Sequence, residues 1–132
     1  MAVGLASAFS NSILDGIGNN TDPSNLPVAT PFLKLHTGDP GSAGTSNAAG
    51  NTTRKSVSFG AASGGVMSND AAISWTTGEV TTSEDYTHWS LWTASSGGTF
   101  IGSGTLTANA VTAGDEFTIP TGELDLSFNT AA

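Results

Sequence analysis

The sequence predicts an all-β chain, an antiparallel β-sandwich of jelly-roll-like type with about seven or eight short strands, preceded by a short N-terminal helix and an extended arm. Three observations predict it. Short apolar runs of period two recur at near-regular spacing with Gly-rich turns between them. One run, Tyr86 to Trp92 (YTHWSLW), holds three of the ten aromatic residues (three Trp, one Tyr, six Phe) and carries bulk on both faces, as a central strand must. Helical spacing is convincing in one place only, at the N-terminus.

There Leu5, Phe9, Ile13, Leu14 and Ile17 fall on one helical face, with Gly16 and Gly18 as a stop. The spacing predicts a helix over Gly4 to Asp15. Asn19 to Thr30 (NNTDPSNLPVAT) is polar, carries two prolines and reads as an arm joining helix to domain. The boundaries that follow are residues 1–24 for helix and arm and 25–132 for the β domain. A helix on such a tether either docks on a neighbour or packs across the end of its own sandwich, and the sequence does not choose.

Phe32 to Thr37 (FLKLHT) reads as a strand with Leu33 and Leu35 on one face and Lys34 and His36 on the other. Gly38 to Asn51 is a long loop in which Asp39-Pro40-Gly41 forms a tight turn and the remainder is expected to be mobile. Arg54 to Phe59 resumes as a strand, Val66 to Trp75 as another, and Thr76 to Asp85 as an acidic connection. In the central run the alternation puts Thr87, Trp89 and Leu91 on one face and Tyr86, His88, Ser90 and Trp92 on the other. Ser95 to Gly98 turns into Thr99 to Leu106 (TFIGSGTL), where Gly102 and Gly104 leave one face bare for something bulky, such as a Trp ring. Thr107 to Thr112 reads as a link, Phe117 to Pro120 as a strand, and Leu124, Leu126 and Phe128 alternate cleanly in the last one.

Composition narrows the function. Only 11% of residues are charged and the net charge is −8, with Lys34, Arg54 and Lys55 the only cations besides the two His, too few for a phosphate-neutralising stripe. No nucleic-acid partner is expected. With no Cys there is no disulfide, thiolate nucleophile or Cys-bound metal. The N-terminus lacks the positive region of a secretory signal, and no run approaches the roughly 18 to 20 apolar residues that span a membrane. No membrane partner is expected, and the chain is expected to be soluble and, unless exported as part of something larger, to work in a cytoplasm.

Candidates for chemistry are sparse. His36 and His88 lie in strands, and if those strands are neighbours the imidazoles meet, but no HxH or HExxH spacing supports a metal. Asp39, Glu84 and Asp115 with loop carbonyls are the candidates for a Ca²⁺ site, without EF-hand spacing. No GxSxG, no Ser, His and acid set and no GxxxxGK[ST] stands out, so no cofactor and no enzymatic activity are expected. Trp75, Trp89 and Trp92 are either core or a stacking platform for sugar rings.

Five stretches carry a resemblance: LKLHTGDPG at Leu33 to Gly41, TRKSVSFGAAS at Thr53 to Ser63, THWSLWTASSGGTF at Thr87 to Phe100, GSGTLT at Gly102 to Thr107 and GDEFTIPTGELDLSF at Gly114 to Phe128. In order and spacing the chain resembles the small tail-fibre-like or minor structural proteins of tailed bacteriophages, over about 100 of its 132 residues. The resemblance implies a non-enzymatic virion component assembled in multiple copies as a tail-associated, minor tail or fibre-type protein, made in the host cytoplasm. Its partners would be other copies of itself and other virion proteins of tail or capsid, with a host-surface glycan as a further candidate. One alternative is a capsid decoration protein clasping the shell through its N-terminal arm. Another is a carbohydrate-binding receptor module. Under the assembly readings Leu5, Phe9, Ile13, Leu14 and Ile17 form the attachment element; under the glycan reading Tyr86, His88 and Trp92 form the ligand face.

Overall fold

The structure, a computed structural model, describes residues 4–7, 9, 13, 28–61 and 63–128. Eight strands follow in order: β1 Phe32–His36, β2 Lys55–Ser56, β3 Val66–Ser68, β4 Ile73–Trp75, β5 Glu84–Trp92, β6 Phe100–Val111, β7 Phe117–Ile119 and β8 Asp125–Ser127. All pairings are antiparallel. A four-stranded sheet has the order β2-β1-β5-β6, and two ribbons, β3-β8 and β4-β7, complete a sandwich-like, all-β arrangement around one core.

The aromatic run is the centre of the main sheet, with β1 on one side of β5 and β6 on the other. Register places Leu33 opposite Leu91 and Leu35 opposite Trp89, so four large apolar side chains share one face, and all four are buried. Across the other edge of β5, Gly104 stands opposite Trp89. A methyl group at Gly104 would overlap Trp89 Cζ2, so the bare strand position is the seat of the indole. Gly102 answers to a different neighbour. A methyl there would lie 2.9 Å from the carbonyl of Gly4, because the N-terminal segment runs along this stretch of β6.

That segment corrects the start of the expected helix. Ser103 N donates to Gly4 O at 2.7 Å, Ala6 N donates to Ile101 O at 2.9 Å, and Leu5 bridges Gly102 in antiparallel fashion. Residues 4–6 are therefore an extended strap whose backbone groups are spent on β6 and not on a helical turn. No helix stands among the described elements, although Ser7, Phe9 and Ile13 have helical backbone. The rest of the expected helix and most of the arm over Asn19 to Thr30 lie outside the described residues.

The ribbons explain a second correction. Val66 to Trp75 is two strands, because Asn69 leaves the ladder and turns its amide inward. Its Nδ2 donates to Ala71 O at 2.9 Å and Pro120 O at 3.0 Å, and its Oδ1 accepts from Leu124 N at 2.9 Å. One buried amide thus fixes where β3-β8 ends and β4-β7 begins. In the β4-β7 ribbon Ile73, Trp75, Phe117 and Ile119 are buried while Ser74 and Thr118 join hydroxyls at 3.0 Å on the outside, a clean period of two. Phe117 meets Trp75 at 5.7 Å and Tyr86 edge-on at 5.0 Å, which docks the ribbon on β5.

Three further readings change. Glu84 and Asp85 open β5 instead of belonging to the connection, and the expected link Thr107 to Thr112 continues β6 as far as Val111, with a register shift between Tyr86 and His88. The loop after Asp39 is also tied down. Gly41 N donates to Asp39 Oδ1 at 2.8 Å, Ser46 N to Pro40 O at 2.9 Å, Thr37 N to Asn47 O at 2.9 Å and Ala49 N to Leu35 O at 3.1 Å. Among the described residues no helix is long and apolar enough to cross a membrane.

The seat of Trp89 gives a stability test. Gly104→Ala should lower the unfolding free energy by about 1–3 kcal/mol, since neither strand nor indole has room to yield. Gly60→Ala, where a methyl meets nothing closer than 3.8 Å, should stay within about 0.5 kcal/mol of the parent in the same denaturant titration.

Candidate functional site

The polar face of the β1–β5 pair gathers the chain's chemistry. His36 lies opposite His88, Lys34 opposite Ser90 and Phe32 opposite Trp92. His36 Nδ1 is 2.8 Å from Ser46 O, an atom that only accepts, so Nδ1 carries the proton. Nε2 then accepts from the Ser90 hydroxyl at 2.7 Å, and Ser90 Oγ accepts from Trp92 Nε1 at 2.8 Å. The result is one directed chain from indole to hydroxyl to neutral imidazole to loop carbonyl, with His36 and Ser90 fully buried. Arg54 covers its outer end: the guanidinium sits 4.2 Å from the Trp92 ring centroid while Nη1 donates to Ala94 O at 2.9 Å and Gly97 O at 2.7 Å.

A serine hydroxyl on an imidazole is the first half of a nucleophilic dyad. Here it does no such work. Ser90 Oγ is sealed from solvent and already holds the Trp92 N–H, and the far side of the imidazole meets a carbonyl in place of an acid. The pair clamps the Gly38 to Asn51 loop onto β1. Burial, outweighing the Ser46 contact, pulls the His36 pKa below its usual value, with Lys34 and His88 adding repulsion. Burial and then the Arg54 charge likewise lower Lys34.

The residues of the sequence-predicted ligand face lie in different environments. Tyr86 is fully buried against Phe117, Trp92 is buried between Phe100 and Arg54, and of the three only His88 is half-exposed, its Nδ1 meeting Thr87 Oγ1 at 2.8 Å. Trp75 and Trp89 are core, Trp75 satisfying its indole on Thr53 O at 2.9 Å. Tyr86 Oη and Asn51 Nδ2 are buried without a well-formed hydrogen bond; the amide favours the ionised phenol, but burial outweighs it and raises the Tyr86 pKa. The three carboxylates considered for Ca²⁺ serve separate turns: Asp39 holds Gly41 N, Glu84 holds Gly50 N at 2.9 Å, and Asp115 holds Thr112 N at 2.8 Å. Among the described residues no three His, Asp or Glu side chains form a metal-binding group. Of the attachment candidates, Phe9 is in the core and Leu5 and Ile13 pack against it, all turned toward their own domain, while Leu14 and Ile17 lie outside the described residues.

The model of a family described as podophage GP4 fiber I protein gp80 matches residues 4–127. The chain belongs to this family. No curated protein matches it. The match to the podophage fibre family opens at Gly4, whose carbonyl anchors the strap, and closes at Ser127, the last residue of β8, so strap, sheet and both ribbons lie inside it. This is the kinship the sequence motifs pointed to. Of those fibre-family motifs, the first contains His36 and the loop turn, the second Arg54, and the third Ser90 and Trp92, the same groups that interlock in the directed chain.

Acidification tests the latch. Because burial holds the folded-state pKa of His36 below the usual 6.5, the unfolded chain takes up the proton first; stability is full above about pH 6.5 and is lost as pH falls through the folded-state value. The melting temperature should therefore fall between about pH 7.5 and about pH 5, whereas His36→Gln, less stable by about 1–3 kcal/mol at the higher pH, should show a flatter profile over that range. Arg54→Lys keeps the charge but loses the flat fork, and should cost about 1 kcal/mol in the same melts, with altered Trp fluorescence.

Proposed function

We propose that the chain is a non-catalytic structural subunit of a tailed-phage fibre, carried on the virion in multiple copies and held there by other copies of itself and by neighbouring virion proteins. The observation that carries this reading is the family match over residues 4–127. The chemistry agrees with it. The Ser, His and Arg groups with the most distinctive environments are consumed in clamping the fold. A fibre-type or tail-associated position is favoured over a shell clasp, because Leu5, Phe9 and Ile13, the residues such a clasp would use, face their own core.

Purified particles of the phage that encodes the chain provide the test. Mass spectrometry should find it at several copies per particle, and gold-labelled antibody should mark fibres or tail. Its absence from the particles ends the proposal, and label confined to the head shell moves the chain to a decoration role.

A further inference from the structure

The outer face of the β2-β1-β5 sheet gathers basic groups that no carboxylate answers. The β1–β2 ladder pairs Leu33 with Lys55, so one step further along it Arg54 falls beside Lys34. Lys34 stands opposite Ser90, which makes His88, two positions earlier in β5, its diagonal neighbour on the same face. Half-buried, the Lys34 ammonium makes no hydrogen bond or ion pair among the described residues. The charged groups that act on Lys34 and His36 from this face, Arg54, Lys34 and His88, are all basic. The chain has 11 carboxylates to draw on, yet the only ion pair among the described residues takes the other lysine, Lys55, to Glu79.

The donors are already set in place. Arg54 Nη1 spends its N–H groups on Ala94 O and Gly97 O, and the guanidinium rests on the Trp92 ring at 4.2 Å. Its Nε and Nη2 make no hydrogen bond among the described residues, and together they form the side-on fork that meets two oxygens of one oxyanion. Thr87 Oγ1, 2.8 Å from His88 Nδ1, can donate to it and leave the proton on Nε2, which likewise has no partner among the described residues. Two permanent positive charges side by side repel until a counter-charge joins them. A carboxylate answers one of the two, whereas a phosphate dianion answers both and has oxygens enough for fork, ammonium and imidazole. The net charge of −8 belongs to the whole surface and is screened over about 8–10 Å at ordinary salt, so the local cations decide. Three Lys and Arg in all cannot follow the backbone of a polyanion, so the ligand is a single phosphate group.

We propose that Lys34, Arg54 and His88 bind one phosphate group, either free or as a monoester. Arg54 supplies the fork, Lys34 a point charge on the next oxygen and His88 an N–H beside it. The site takes no hydrogen bond from the buried chain of Trp92, Ser90 and His36, and it does not rest on the fibre assignment.

The test is calorimetric titration of the full-length chain with inorganic phosphate, phenyl phosphate and acetate, at about pH 7.5 and constant ionic strength. Phosphate should saturate one site, with acetate weaker by about tenfold or more and Lys34→Gln weakening phosphate by a similar factor. Lys55→Gln removes the same charge from a neighbouring position and should stay within about twofold of the parent. Lys34→Gln should keep the parent melting temperature in phosphate-free buffer, which separates lost binding from a lost fold; if it fails to fold, His88→Gln takes its place, with a loss of about threefold or more expected. Phenyl phosphate bound as well as phosphate assigns the site to a monoester, and its exclusion assigns it to the free ion; the site stands in both cases. No saturable binding, acetate as tight as phosphate, or equal losses in Lys34→Gln and Lys55→Gln, the mark of a general field, overturns the proposal.

Discussion

The packing of the Trp89 indole over a strand position without a side chain is the constraint on which this fold depends. Trp89 sits in the middle of the central strand, so whatever lies beside it must give way, and Gly104 does so by having nothing to move. That contact keeps β6 close enough to pair with β5, and β6 in turn carries the strap on its outer side. Core and sheet closure therefore share one aromatic ring.

The opposite face of the same sheet is organised by polarity. A small domain with a long loop has to fix that loop by local bonds, because loop residues bury little apolar surface. Here a neutral imidazole does it, receiving a hydroxyl proton on one side and giving an N–H to a carbonyl on the other. The arrangement has the parts of a hydrolytic dyad and none of its access. Burial decides which it is, and the family to which the chain belongs agrees with the structural reading.

Much of this was legible in the sequence. The β class, the central aromatic strand and the seat for a Trp ring followed from period-two alternation and from two glycines where side chains were due. Other features were invisible for identifiable reasons. The split between β3 and β4 depends on a single Asn amide satisfying three backbone groups, two of them more than fifty positions away. Gly4 to Ala6 follow an apolar pattern equally suited to a helix, and only the proximity of β6 makes them extended. The burial of Tyr86 and Trp92 was not legible because alternation tells which residues share a side of a strand, not whether that side is covered; here a ribbon covers Tyr86 and a guanidinium covers Trp92.

The strap has a consequence for how the molecule is made. Gly4 and its partner Ser103 are separated by 99 positions, so a ribosome releases one long before the other exists. Throughout that interval the first residues have no mate, and the contact they await has the high loop-closure cost of a distant pairing. Docking of this segment is thus a late event in vectorial synthesis, possible only once β6 has emerged.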